Sequence, residues 1–215
     1  MITSFRHAPV LRRFGMAVAL TALSACSILP DAEVLTVYQL PALAAAPQNS
    51  QRANTPLRHS LRIATPYSSH VIDSARVVVV PQGSQISAYS GVRWSDSAPV
   101  LVRDRLASAF RTNGRLASVI TDHGNINADL GLTGDLSAFQ VEYHNGAPTV
   151  RIRFDAALVK TSTNRAAATR RFEINQPVQG KEIPEVVTAF GAATDSLAAD
   201  VVNWTLDYIN QTGGR

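Results

Sequence analysis

Apolar positions along this chain change their period several times, and each change marks an element. Val34-Leu-Thr-Val-Tyr-Gln-Leu40 is rich in β-branched and aromatic residues and predicts a strand. The stretch 41–56, rich in Ala, Pro, Asn, Gln and Ser, predicts a loop. A second strand is expected over 57–64, stopped by Pro66. Arg76-Val-Val-Val-Val80 holds a continuous apolar run, the pattern of a strand buried on both faces. Pro81-Gln-Gly-Ser84 predicts a turn, and 85–89 a returning strand.

The period then lengthens. Val102, Leu106, Ala109 and Phe110 share one face of a helix expected over 97–113. Ser95, Asp96 and Ser97 offer N-caps, Pro99 suits the first turn, and Asn113-Gly114 is a C-cap signal. A strand follows over 116–121. Leu130, Leu132 and Leu136 alternate, then Phe139, Val141 and Tyr143 alternate on the other parity. A bulge near Ser137-Ala138 would return both runs to one buried face. Asn145-Gly146 is a tight-turn signal, and Val150, Ile152, Phe154, Ala156 and Leu158 alternate with polar positions beyond it. Thr163-Asn164-Arg165 turns the chain into a last strand over 166–174. Phe190, Ala193, Leu197, Val201, Trp204 and Tyr208 then recur at three and four residues in a helix over 184–210. That helix is roughly 40 Å long, enough to lie across a sheet. The pattern predicts an α+β fold: a mostly antiparallel sheet, with a middle helix and a long C-terminal helix packed on one face.

The first 25 residues follow different rules. Arg6, His7, Arg12 and Arg13 form a basic stretch, and 14–23 is an uncharged, mostly apolar run. Leu23-Ser24-Ala25-Cys26 resembles the lipobox of bacterial lipoprotein precursors, with Leu23 three residues before the cysteine. An ordinary secretory signal would more often carry a small residue there. A membrane-spanning helix would need roughly twenty apolar residues. The expected organisation is a signal peptide over 1–25, a short tether over 26–33 and a single domain over 34–215. Cys26 would carry a diacylglyceryl group on its sulfur and a further acyl chain on its freed amine. Ser27 follows it instead of an Asp, which favours the outer membrane over inner-membrane retention. A tether of about eight residues reaches at most roughly 25–30 Å, so the domain would sit at the membrane surface.

Removing the leader alters the charge. The whole chain has 20 basic and 16 acidic side chains, but Arg6, Arg12 and Arg13 lie in the leader, which leaves 17 against 16. With two lysines only, Lys160 and Lys181, no basic run for nucleic acid remains. One cysteine excludes a disulfide within the chain.

Candidate chemistry is sparse. Asp122-His123 with Ser118 or Ser137 is the nearest approach to a hydrolase triad, but no Gly-x-Ser-x-Gly elbow exists and adjacent strand residues point to opposite faces. The segment reads better as a polar turn. His7, His59, His70, His123 and His144 lack metal-ligand spacing. Trp204 lies in the apolar stripe and reads as core; Trp94, ahead of the middle helix, reads as a packing staple. Arg151, Arg153, Arg170 and Arg171 read as solvated sheet edges or faces, with contact to anionic headgroups or an acidic partner as the alternative. No catalytic, cofactor or metal residue is assigned. Cys26 is the one site residue.

Several spaced features together resemble the ABC-type transport auxiliary lipoproteins, the PqiC-like proteins. They are the lipobox at Cys26, Tyr38-x-Leu40, Tyr89 followed by Trp94 at the head of a helix, Leu132-x-Gly134-Asp135-Leu136-x-x-Phe139, and Ala189-Phe190 with Leu197 and Trp204 in the terminal helix. The resemblance implies a non-enzymatic component of an MCE-type system that moves phospholipids or other lipids across the periplasm. Its implied partners are an MCE-family periplasmic protein and the associated ABC transporter, its implied location the periplasmic face of the outer membrane, and a homo-oligomeric ring is compatible. The rival reading is a lipoprotein that regulates or assembles another envelope machine, such as a cell-wall synthase or the outer-membrane assembly apparatus.

Overall fold

The computed structural model describes residues 35–42, 56–124 and 126–212. The predicted leader, Cys26, the tether and most of the predicted 41–56 loop lie outside them. The order is β1 (Thr36–Tyr38), β2 (Leu57–Ile63), β3 (Arg76–Gln82), β4 (Gln85–Trp94), α1 (Ala98–Asn113), β5 (Leu116–Thr121), β6 (Leu130–His144), β7 (Ala147–Lys160), β8 (Arg165–Pro177) and α2 (Ile183–Thr212).

Local chemistry explains most boundaries. Gly83, at φ +57°, lets Gln82 and Gln85 pair across a tight turn, so Pro81 falls inside β3 and not in the turn. Asn145 and Gly146, both with positive φ, close the β6–β7 hairpin, the backbone that a primed two-residue turn requires. Gly114, at φ +70°, ends α1, and its N–H reaches the Phe110 carbonyl. Ser97 stands at the N-cap of α1 without a capping side-chain bond; the Asp96 carboxylate accepts its N–H at 2.7 Å.

The eight strands form one sheet organised on β6. One edge of β6 pairs with β7 from Leu130↔Lys160 to His144↔Ala147. The opposite edge is divided. Its first half pairs with β2 (Leu61↔Leu130 to Ile63↔Leu132) and its second with β3 (Val79↔Val141, Val80↔Glu142). Tyr67 bridges the gap, donating its N–H to the Gly134 carbonyl and accepting from Leu136 N–H. The sheet therefore branches, with β2–β5 on one arm and β3–β4–β1 on the other.

This corrects the expectation of a mostly antiparallel sheet. The β3–β4, β6–β7 and β7–β8 pairings are antiparallel, but β1–β4, β2–β5, β2–β6 and β3–β6 are parallel. The reason is physical. Antiparallel partners joined by a tight turn leave a local signal, whereas parallel partners need a long crossover and leave none. Here β2 and β5 are separated by β3, β4 and α1.

One face of this mixed sheet is dry. Leu61 and Ile63, Val77 and Val79, Leu132 and Leu136, Phe139 and Val141, and the alternating β7 residues Val150 to Leu158 join a single core with α1 and α2. The register shift between Leu136 and Ala138 makes Ser137 the extra residue, which turns Phe139 and Val141 onto the same face as Leu132 and Leu136. At the meeting point of β4, β6 and α2, Trp94, Phe139 and Phe190 pack edge to face and tilted, with centroids 4.7–6.2 Å apart. Trp204 is partly buried and meets Phe172 edge-on at 5.6 Å. α2 has 30 residues, about 45 Å by helical rise.

Truncating this aromatic junction removes dispersion contacts that the surroundings cannot rebuild. Phe139→Ala should lower unfolding free energy by about 3–5 kcal/mol, read from urea denaturation. A loss under about 1 kcal/mol would show that the junction is not the keystone of the core.

Candidate functional site

Asp122 and His123 do not form a catalytic dyad. One oxygen of Asp122 accepts the Thr65 N–H at 2.7 Å, and the other takes Arg103 Nη1 at 3.2 Å. Arg103, only 3% exposed, also donates to the Thr65 hydroxyl at 2.9 Å and to Asp104. His123 Nδ1 lies instead 3.2 Å from the Thr121 hydroxyl. Ser118, on β5, sits in register with Ser60 of β2, and Ser137 is exposed at the bulge. The four residues of the imagined hydrolase are thus not brought together. Asp122 ties the ends of β2 and β5 to α1. Burial alone would raise its carboxyl, but the Thr65 N–H and hydroxyl and the Arg103 charge outweigh it and hold it below its usual range.

The open face of the sheet is charged but internally paired. Arg151 bridges Glu142 at 3.2 Å and Glu173 at 2.6 Å, and Arg153 joins Glu173 at 3.3 Å. Arg171 grips both oxygens of Asp155 on this face, whereas Arg170, which shares its side of β8 with Phe172, stacks 5.0 Å over that ring at the margin of the core face. Glu142 shows the same balance: burial raises it, and Gln140 and Arg151 bring it below the ordinary carboxylate range. All four arginines singled out in the sequence are thereby engaged by their own domain. Their arrangement favours the reading as a sheet face over one as headgroup ligands.

Where the arms of β6 part, the open face carries a depression of about 540 Å³, lined by Tyr67, Asp135, Asp155, Thr169 and Arg171 among others. A second hollow of about 470 Å³, bordered by Ser69, His70 and Asp73, shares Tyr67 and Thr133 with it. Tyr67 stands 76% exposed between them. Gly134 makes the approach of β6 to β7 possible: it sits at φ +156°, and a Cβ there would overlap the Asp155 carbonyl and come within 2.9 Å of the Phe154 ring. That accounts for glycine in Leu132-x-Gly134-Asp135-Leu136. An open, polar depression beside an exposed aromatic can receive a partner's side chain. Among the described residues no group of three or more His, Cys, Asp and Glu side chains is placed to hold a metal ion.

Sequence reasoning missed the buried cations. Arg103 occupies the stripe Val102, Arg103, Leu106, Ala107 and Phe110 on α1. A charged residue inside an apolar stripe was the available signal. Tyr67 gave no such signal, because nothing in its neighbours marks a strand bridge.

A model of the ABC-type transport auxiliary lipoprotein component matches residues 38–202. The chain belongs to this family. The matched region runs from the last residue of β1 through most of α2 and includes the motif residues Tyr38, Trp94, Gly134 and Phe190. The chain is also 27% identical over 160 residues to the uncharacterized protein bll6063 of Bradyrhizobium diazoefficiens; that match covers 74% of this chain but only 43% of that protein's length. Among solved structures, protein XCC0632 of Xanthomonas campestris shares 26% identity, with a TM-score of 0.74 over 84% of this chain and all of that one. The hypothetical protein CT253 of Chlamydia trachomatis has the same fold at 7% identity, with a TM-score of 0.53 over 71% of this chain and 98% of its own.

The Asp122 knot should show in the acid limb of stability. A carboxylate held below its unfolded value contributes stability above about pH 4 that is lost as pH falls through the lower folded value. Asp122→Asn should cost about 1–3 kcal/mol at pH 7 and flatten the part of the acid decline that lies below about pH 4, measured by urea titrations. His123→Ala should change stability by less than about 0.5 kcal/mol.

Proposed function

We propose that this chain is a lipid-anchored docking component of an MCE/ABC-type system carrying phospholipids or other lipids across the periplasm. The family match over residues 38–202 carries this reading. Cys26 is the anchor in this account. Two or three acyl chains hold a protein on a bilayer where one is marginal, since each buried CH₂ contributes about 0.8 kcal/mol. Among the described residues no helix is long and apolar enough to cross a membrane.

The role is non-catalytic in this reading. The most catalytic-looking group in the sequence is a structural knot, with Asp122 engaged by Thr65 and Arg103. The domain's contribution is to present a surface to a periplasmic MCE protein and, through it, the transporter. The outer membrane is the proposed location, on the identity of Ser27 beside Cys26. A ring of copies fits the same role.

Deleting the gene should raise envelope permeability to detergents and hydrophobic dyes. Wild type should restore the barrier, whereas Cys26→Ser should accumulate as an uncleaved, unacylated precursor and fail to restore it. A Cys26→Ser protein that is processed normally and stays with membranes would refute the anchor.

A further inference from the structure

β8 is a 13-residue strand that pairs with β7 on one edge, and among the described residues no strand pairs with the other. The register shows which of its backbone groups face that open edge. Thr149 stands opposite Pro177, and one step beyond, the Val178 N–H donates to the Pro148 carbonyl at 3.0 Å. In an antiparallel ladder alternate opposed pairs exchange hydrogen bonds and the pairs between them do not. The even-numbered residues from Ala168 to Gln176 therefore bond to β7, while Thr169, Arg171, Glu173 and Asn175 turn their N–H and C=O outward. The β6–β7 hairpin gives the same parity. Its two-residue turn makes His144 and Ala147 a bonded pair, so odd residues of β7 serve β6 and even ones serve β8. All four outward-facing residues are exposed.

We propose that this edge is a docking surface for a second copy of the chain, whose own β8 adds antiparallel about a two-fold axis at Phe172. Charge selects that register. Like charges directly opposite one another destabilise a strand pair, and opposite charges stabilise it. An axis at 171 would oppose two Arg171 side chains, one at 173 two Glu173 side chains, and one at 170 two Arg170 side chains. An axis at 174 would set Glu173 against Asn175. Of the registers centred within 170–174, the one at 172 alone places each Arg171 opposite the partner's Glu173, with Thr169 opposite the partner's Asn175.

The rest of the edge fits the same axis. Each outward residue would exchange two backbone hydrogen bonds with the residue opposite. The ladder would end at Asn175, short of Pro177, which has no N–H to donate, and at Thr169, short of the register shift at Ala167. On the open face the salt bridges would run on from one copy to the other. Asp155 holds Arg171, and Arg151 and Arg153 hold Glu173, so the new pair joins two existing networks. At the axis the two Phe172 rings would approach, each already edge-on to its own Trp204. The contact is isologous, so it closes at two copies and does not grow into a filament.

Proline separates the two edges of β8. Thr169→Pro and Asn175→Pro each remove an outward N–H that β7 does not use, a place where an edge strand tolerates proline. Sedimentation of the full-length protein in detergent should show pairs for wild type. Each proline variant should associate at least about tenfold more weakly, with an unchanged circular dichroism spectrum. The register is read with a short bismaleimide on the envelope fraction of its own cells. Thr169→Cys combined with Asn175→Cys should give covalent pairs well above the wild-type background from Cys26. Those positions would lie about 5.5 Å apart across the axis, but about 20 Å apart along one strand. Either cysteine alone should give only the background, because its counterpart in the other copy is also about 20 Å away. A monomeric wild type, or an assembly that survives both prolines, overturns the proposal. Pairs from Thr169→Cys alone at the yield of the double variant overturn the register. Capture of a different protein by the double variant in place of a second copy overturns the occupant. None of these outcomes bears on the anchor or on the transport reading.

Discussion

Everything in this domain depends on one strand pairing on both edges with different partners at different heights. β6 must bury one face along its full length while β2 takes its first half and β3 its second. A strand of strict period two would do this only if its apolar residues kept one parity. They do not: Leu132 and Leu136 are even, Phe139 and Val141 odd. The extra residue Ser137 reconciles them, because a bulge places two residues opposite one. Without it, Phe139 would leave the junction with Trp94 and Phe190, and the β3–β4–β1 arm would lose its contact with α2. Gly134 is the companion constraint, since a side chain there would drive β6 away from β7.

That device was legible in the sequence, because parity is a local property. So were both helices, the Asn145-Gly146 turn and the long alternation of β7. The sheet's parallel pairings were not. They join segments such as Leu61 with Val119 and Leu130, far apart in the chain, and no residue type records which strand lies beside which. The site followed the same division. The motif Leu132-x-Gly134-Asp135-Leu136 could be read as a family feature, but the close approach that requires its glycine is a tertiary fact. Asp122 looked like chemistry beside His123; its partners, Thr65 and Arg103, lie 57 and 19 positions away.

These constraints converge on a domain that engages several of its charged groups in its own architecture. Arg151, Arg153 and Arg171 on the open face are met by Glu142, Asp155 and Glu173. The buried Arg103 and the nearly buried Arg105 are used to tie strand ends and Pro41 to the helices. The branched sheet also presents an exposed Tyr67 between two hollows. Membership of the ABC-type transport auxiliary lipoprotein family fits a module of this kind better than an enzyme.

The proposed partner of this surface is an MCE-family protein. A photo-crosslinking residue at Tyr67 in the full-length protein, expressed in its own cells, tests it most directly. Crosslinked partners, identified by mass spectrometry, should be dominated by an MCE-family protein, and Cys26→Ser should reduce their yield. Crosslinks dominated by a cell-wall synthase or by the outer-membrane assembly machinery would contradict it.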